Sequence, residues 1–305
     1  GGAFRSSAFQ LHKKETTMFT LSLMPNIIVN TMVLGVMYIL TSLGFAFIFN
    51  MLSSVNLAHG ALYMIAAYAC YYFTVLLGVS SWVALILAAV LLAVIGLLLE
   101  RFVFRLFFDN FDKIIMVGVA LMTILQTAAT IASGTKTLVI DRFAEGTLSL
   151  GTITVSNEKV VTFAVGLLLL LVSLYIVNRT ALGRQMEAVS QDRLGAALQG
   201  IDINKVSAII CAIGCALAAI AGGMMGAYQG LSATMGDTMN LRILMLVMLA
   251  GAGSMNGIII TGLVMGFLDS LFPVLIQGNG ASAAAIAIVV VILLIKPKGF
   301  FGHEM

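Results

Sequence analysis

Ile27-Ile-Val-Asn-Thr-Met-Val-Leu-Gly-Val-Met-Tyr-Ile-Leu-Thr-Ser-Leu-Gly-Phe-Ala-Phe-Ile-Phe49 contains no charged side chain. A helix needs about 20 apolar residues to cross the hydrocarbon of a bilayer, and this stretch supplies them. It lies inside a longer run, residues 16–99, that holds no Asp, Glu, Lys or Arg, and whose only histidine is His59. Beyond it the charges cluster at Glu100–Lys113, Lys136–Lys159, Arg179–Lys205 and Lys296–Glu304. The apolar gaps fit further spans at 60–78, 81–99, 114–134, 160–177, 206–228, 241–252, 257–276 and 281–295, of which 241–252 is short for a crossing. Composition agrees. The 305 residues are 61% apolar and 10% charged, against about 25% charged in a soluble domain, and the mean hydropathy is +1.09. The expected fold is an all-α polytopic membrane protein of about eight to nine transmembrane helices. Soluble enzyme folds are excluded, and no nucleic-acid partner is expected.

The basic residues set the sides. If 178–205 is cytoplasmic, alternation places 100–113 and the C-terminus there too. These segments hold Arg101, Arg105, Lys113, Arg179, Arg184, Arg193, Lys205, Lys296 and Lys298, against Lys136, Arg142 and Lys159 in the 135–159 loop. Cytoplasmic loops carry the excess of Lys and Arg, so 135–159 is read as external. An odd number of crossings puts the N-terminus outside, against Arg5, Lys13 and Lys14. Residues 1–17 are therefore read as a non-native N-terminal extension, with Met18 as initiator, and 18–305 as one transmembrane domain.

Within the external loop, Thr147-Leu-Ser-Leu-Gly-Thr-Ile-Thr-Val155 roughly alternates polar and apolar, which predicts a short strand or hairpin. Leu52-Ser-Ser-Val-Asn-Leu-Ala-His-Gly60 is a polar interruption without Lys or Arg. It reads either as a loop or as a discontinuous second helix whose open backbone faces a path. Asn178–Lys205 reads as two short helices. Thr180 caps the first, Ser190 caps the second, Gly200 stops it, and Asp202 or Asn204 caps the next span. Leu194, Ala197, Leu198 and Ile201 gather on one side. The glycine pairs Gly222/Gly226 and Gly262/Gly266 let helices approach closely, and Pro273 is expected to kink or end its helix. Cys70, Cys211 and Cys215 lie inside spans at no disulfide or zinc spacing, and Cys211 and Cys215 share a helix face for packing.

The motifs resemble a known family. Arg179-Thr-Ala-Leu-Gly-Arg184, Glu187-Ala-Val-Ser-Gln-Asp-Arg193 and Ala196-Ala-Leu-Gln-Gly-Ile201 are similar to the coupling loop of branched-chain amino acid ABC permeases. Tyr38-Ile-Leu-Thr-Ser-Leu-Gly44 and Val55-Asn-Leu-Ala-His-Gly60 resemble its first-helix pattern and its Asn-Phe-Ala-His-Gly-type motif. Gly251-Ala-Gly-Ser-Met-Asn-Gly257 stands where the family usually has Gly-Gly-Leu-Gly-Ser-Ile-Pro-Gly. It departs there, since Ala250-Gly-Ala-Gly253 lacks the Gly-Gly-Leu and Asn256 replaces the Pro. The resemblance runs over roughly 27–302 and is closer to the first of the family's two permeases.

This resemblance implies a permease subunit of an ATP-driven, binding-protein-dependent importer of branched-chain or other hydrophobic amino acids in a bacterial inner membrane. The implied partners are a second permease, two cytoplasmic ATPases and an external solute-binding protein, with ATP and Mg on the ATPase and no cofactor on this chain. Asn56, His59, Gly60 and Tyr63 are the implied translocation-path residues. Glu187, Ala188, Asp192, Arg193, Ala196, Ala197 and Gly200 are the implied ATPase-coupling residues. Relatives of the family also carry urea, short amides or aromatic carboxylates, so these stand as alternative solutes.

Two polar features remain. Asp269 lies about eight residues inside its span, roughly 12 Å deep, and Arg242 begins the preceding span on the same side. Ionisable groups in lipid are costly unless paired or hydrated, so the two are expected to pair across helices; direct substrate contact is the alternative. His59 has no acidic neighbours at helical spacing, so it is expected to hold the break at 56–60 through backbone bonds, with path lining as the alternative. No catalytic or metal-binding constellation is legible. A stand-alone secondary transporter would need coupling carboxylates in the spans, and only Asp269 qualifies.

Overall fold

The computed structural model describes residues 2–108, 110–134, 136–150, 153–251, 254–276, 280–296 and 299–301. Gly151, Thr152, Ala252, Gly253, Pro297, Lys298 and the segment beyond Phe301, named above, lie outside them. The polar interruptions of the sequence become helix ends. In chain order the elements are α1 (Gly2–Leu52), α2 (His59–Leu77), α3 (Ser81–Phe102), a 3-10 turn (Phe104–Phe107), α4 (Phe111–Ser133), β1 (Thr147–Leu150), β2 (Ile153–Ser156), α5 (Asn157–Arg179), α6 (Ala181–Gln191), α7 (Arg193–Leu198), α8 (Ile203–Gln229), α9 (Met235–Ala250), α10 (Met255–Leu275) and α11 (Gly280–Ile295). Among the described residues seven helices are long and apolar enough to cross a membrane: α1 over Leu23–Leu52, α2, α3, α4, α5, α8 and α10. With the shorter α9 and α11 they form a multi-pass, all-α membrane protein.

Two expectations move. The span read at 241–252 begins six residues earlier, at Met235, because Gly236, Asp237, Thr238 and Asn240 are helical too. Those residues pass for a loop in the sequence, yet Gly236 and Asn240 are buried and Asp237 is half-buried, with Thr238 alone exposed among the four. Ser190 was expected to cap the second short helix. Instead its hydroxyl donates to the Glu187 carbonyl at 2.8 Å, and Asp192 occupies the start of α7. The other caps hold: Thr180 accepts from Gly183 N at 3.3 Å, and Asp202 accepts from Lys205 N at 3.1 Å. Gly200 has φ +84°, a left-handed geometry that suits glycine.

Burial separates the helices into a hub and a rim. In α1, 89% of the most apolar 18-residue stretch is buried, against 17% in α4 and 22% in α5. Helices in lipid gain nothing from apolar burial as such, so close packing must hold α1 in place. Glycines provide it. A Cβ on Gly44 would lie 2.6 Å from the Gly214 carbonyl, and one on Gly214 would lie 2.6 Å from the Gly44 carbonyl, so α1 and α8 touch through backbone. On another face of α1, a Cβ on Gly266 would lie 2.6 Å from the Gly35 nitrogen. The three cysteines are buried and unbridged. Cys215 and Cys211 fill the space left by Gly96 of α3, where an added Cβ would meet the Cys215 sulfur at 2.8 Å.

One end of the bundle carries the antiparallel β1–β2 hairpin, paired from Thr147↔Ser156 to Leu150↔Ile153. Around it, Trp82 Nε1 donates to the Phe143 carbonyl at 3.1 Å and Ser81 Oγ to the Asp141 carbonyl at 2.9 Å. Leu138 and Leu231 exchange backbone bonds of 2.9 and 2.8 Å, which ties this region to the α8–α9 connection. The opposite end carries α6 and α7.

Candidate functional site

The segment between α1 and α2 is built to be non-helical inside the protein. Ser53 takes φ +50°, which stops α1. Asn56 Oδ1 accepts from Ala58 N at 3.1 Å, a local turn that competes with helix. His59 Nε2 then donates to the Thr41 carbonyl at 3.2 Å, and its ring lies edge-on to Phe45 at 5.8 Å. Thr41 is eleven residues before the end of α1, so α2 starts roughly 16 Å inside that end, at 1.5 Å per residue. The second crossing is thus discontinuous: a non-helical leg, then a helix. Ser54, Asn56 and Ala58 of that leg are buried in protein, the condition under which open backbone is tolerated at membrane depth.

A second helix start meets the first. A Cβ on Gly236, in the first turn of α9, would lie 2.9 Å from the Gly60 carbonyl. Asn240 Nδ2 donates to the Leu57 carbonyl at 3.0 Å, and Gly118 of α4 leaves room for Leu57 N, which an added Cβ would meet at 2.9 Å. Gln126 of α4 bonds the Asp237 carboxylate. Among the described residues, Asn56 Nδ2, His59 Nδ1 and Asn240 Oδ1 are buried there without a hydrogen-bond partner.

Between this meeting point and the hairpin end lies a cavity of about 340 Å³. Its polar lining comes from Tyr38, Tyr63, Gln229, Ser232, Thr238 and Arg242, and its apolar wall from Met225, Met235 and Met239. Arg242 Nε and the Tyr38 hydroxyl both donate to Asp269 Oδ2, each at 2.7 Å. The guanidinium carbon also lies 5.6 Å from the centroid of the Tyr38 ring. The Arg242 side chain is 19% exposed and that of Asp269 9%, so the arginine fronts the cavity and the carboxylate stands behind it. Asp269 is six residues from the end of α10, nearer than the sequence suggested, because the helix ends at Leu275, two residues after Pro273.

At the opposite end, α7 leaves Leu194 73% and Leu198 82% exposed. Arg193 bonds the Met51 carbonyl, in the last turn of α1, and its guanidinium lies 4.5 Å from the centroid of the Phe108 ring. Glu187, Asp192, Ala197 and Gly200 are exposed, Ala188 is half-buried and Ala196 is buried. A second cavity of about 490 Å³ opens beside α6, lined by Asn50, Glu187, Gln191, Ser254 and Asn256 among others.

The structure therefore divides the residues singled out in the sequence. Tyr63 and Arg242 line one cavity, with Asp269 bonded behind it. Asn56, His59 and Gly60 form the buried joint beneath and line none of the cavities described above. Sequence reasoning passed over Tyr38 as the third member of the ion pair. A signal existed: Tyr38 lies three residues after Gly35, Asp269 lies three after Gly266, and those two glycines meet. It also left Leu194 and Leu198 out of the contact residues, although their spacing placed them on one side. Among the described residues no group of three or more His, Cys, Asp or Glu side chains is placed to hold a metal ion.

Known proteins resemble this chain over most of its length. A family model described as "Branched-chain amino acid transport system / permease component" matches residues 27–295. The high-affinity branched-chain amino acid transport system permease protein BraD of Pseudomonas aeruginosa is 27% identical over 290 residues, 90% of this chain and 94% of its own. The corresponding permease protein LivH of Escherichia coli is 24% identical over 288 residues, again 90% and 94%. Among solved structures, PsaBC from Streptococcus pneumoniae in complex with Fab superposes with a TM-score of 0.50 at 13% identity, over 90% of this chain and 92% of that one. At that identity the likeness concerns the fold alone.

Proposed function

This chain belongs to the permease-component family of branched-chain amino acid transport systems, and from that premise we propose that it is one membrane subunit of an ATP-driven importer. It works beside a second permease subunit, with two cytoplasmic ATPases and an external solute-binding protein, in a bacterial inner membrane. ATP and Mg belong to the ATPase, and this chain supplies no cofactor site. The solute is a branched-chain or other hydrophobic amino acid.

The observation that carries this reading is α7. Its Leu194 and Leu198 stand in the open, where an apolar face calls for a partner, while Arg193 fastens the same helix to the Met51 carbonyl. The α6–α7 end is cytoplasmic, by the excess of basic residues around it, and the hairpin end faces outward. A nucleotide moves an equilibrium only by binding one state better than another; that difference lies in the closing of the ATPase pair. Closure displaces α7, and Arg193 passes the displacement to the end of α1, directly before the non-helical leg. The leg carries it to the joint of α2 and α9 at Gly60 and Gly236, beneath the cavity that holds the solute.

The test is a mild-detergent pull-down of the chain from its native membrane. A soluble ATPase and a second permease are expected with it, and Leu194→Asp should lose the ATPase while keeping the permease. Recovery of the chain alone, with transport intact after reconstitution, would overturn the proposal and point to Asp269 in an ion-coupled transporter.

A further inference from the structure

We infer that Arg242 is a specificity-determining residue that receives the carboxylate of the solute in the 340 Å³ cavity, so the path selects small carboxylates with an apolar body over neutral amides and urea. This rests on the transport reading and names the substrate class of its site.

Four observations converge on it. First, among the described residues only Nε of Arg242 is engaged by an acid, through Asp269 Oδ2 at 2.7 Å. A guanidinium carries five N–H donors in a planar fork, so its terminal nitrogens stay available on the side that lines the cavity. Second, the fork is already oriented. Asp269 fixes Nε, the Tyr38 hydroxyl fixes Asp269 at 2.7 Å, and the Tyr38 ring lies under the guanidinium. An oriented fork suits bidentate capture of a carboxylate, which a single point charge does not provide. Third, α9 begins at this cavity, with Met235, Thr238 and Met239 in its wall. The start of a helix carries partial positive charge, which attracts an anion; the Asp237 carboxylate in the same first turn, hydrogen-bonded by Gln126 but still charged, offsets part of it. Fourth, three methionines share the lining. Met225, Met235 and Met239 offer a polarizable apolar surface that adapts to side chains of differing branching.

The Asp269 charge is part of the design. It partly neutralises Arg242, so a carboxylate is held loosely enough to leave, as passage requires. Removing it should make the site stickier for anions, whereas a purely structural ion pair gives no such gain.

The experiment uses the full chain with its accompanying subunits in lipid nanodiscs, without nucleotide or external binding protein. Binding of L-leucine, isovalerate and L-leucinamide is measured by titration. In the unaltered protein leucine and isovalerate should bind at least about tenfold more tightly than leucinamide, the value of one charge-assisted hydrogen-bond pair. Arg242→Gln should remove that preference. Asp269→Asn should tighten both carboxylates severalfold and leave leucinamide unchanged. The comparison of probes on the unaltered protein needs no variant to fold, and thermal melting sorts folded variants from unfolded ones. Equal binding of leucinamide and leucine, no binding of either carboxylate, or a folded Arg242→Gln that keeps the preference would each overturn the inference. A chain that prefers carboxylates but purifies alone would sink the importer reading only. One that assembles with an ATPase but ignores the carboxylate would sink this inference only.

Discussion

The joint of α2 with α9 and the helix α7 are both short-range breaks in a helical chain, yet they solve opposite problems. At the joint, two helix starts meet through Gly60 and Gly236, and neighbouring protein supplies bonds from Asn240, Thr41 and Asn56. At α7 the leucines at 194 and 198 face outward, and the described residues offer them little cover. The contrast locates the two kinds of work. A region closed by its own backbone is a moving part whose shape the sequence must dictate. A region left apolar and open is a surface whose shape a partner completes. Substitutions should therefore damage the joint through stability and α7 through assembly.

The largest effect is expected at the joint. Gly236→Leu forces a side chain against the Gly60 backbone, which cannot retreat as a flexible side chain could. It should cost about 3 kcal/mol or more of stability, the upper range for overpacking, read as a fall in melting temperature and in membrane yield. A melting curve like that of the unaltered protein would mean the two helix starts do not pack as described.

The ion pair comes next. Asp269→Asn leaves Arg242 without its acid partner and should cost about 2 kcal/mol, less than a fully buried pair because the cavity hydrates the arginine. Adding Arg242→Gln to it should recover part of that loss in the same melting assay. Independent, additive losses would show that the two side chains are not coupled.

A smaller effect is expected at Thr180, whose hydroxyl caps α6. Thr180→Ala should cost about 1 kcal/mol, as cap removal does, and lower the protection of the first α6 amides in hydrogen exchange. The least effect on stability belongs to Leu194→Asp, within about 0.5 kcal/mol because the site is exposed. Its consequence is confined to capture of the ATPase, and a protein that melts early instead would place Leu194 in the core.

Much of this was legible in the sequence, for physical reasons. Charge-free stretches mark helices in lipid because a charge there is costly; that rule gave nine apolar stretches, of which seven are long apolar helices among the described residues and two are the shorter α9 and α11. The β1–β2 hairpin followed from alternation, and the caps at Thr180 and Asp202 from residue type. The start of α9 did not follow, because Asp237 and Asn240 are unfavourable against lipid but acceptable against Gln126 and Leu57, and hydropathy cannot distinguish the two surroundings. The depth of Asn56 and His59 was illegible for a related reason: a polar break at the bilayer surface and one folded back inside the protein have the same composition. Only the bond from His59 to Thr41 decides between them. The pairing of Arg242 with Asp269 was accessible as chemistry, whereas the third partner, Tyr38, required knowing which glycines meet.

The measurement that most directly tests the link between the two regions is a paired assay of ATP hydrolysis and solute uptake on the assembled complex in proteoliposomes carrying Arg193→Gln. If α7 drives the joint through the Met51 carbonyl, hydrolysis persists and uptake is lost. Uptake that keeps pace with hydrolysis, at any level of either, would contradict it.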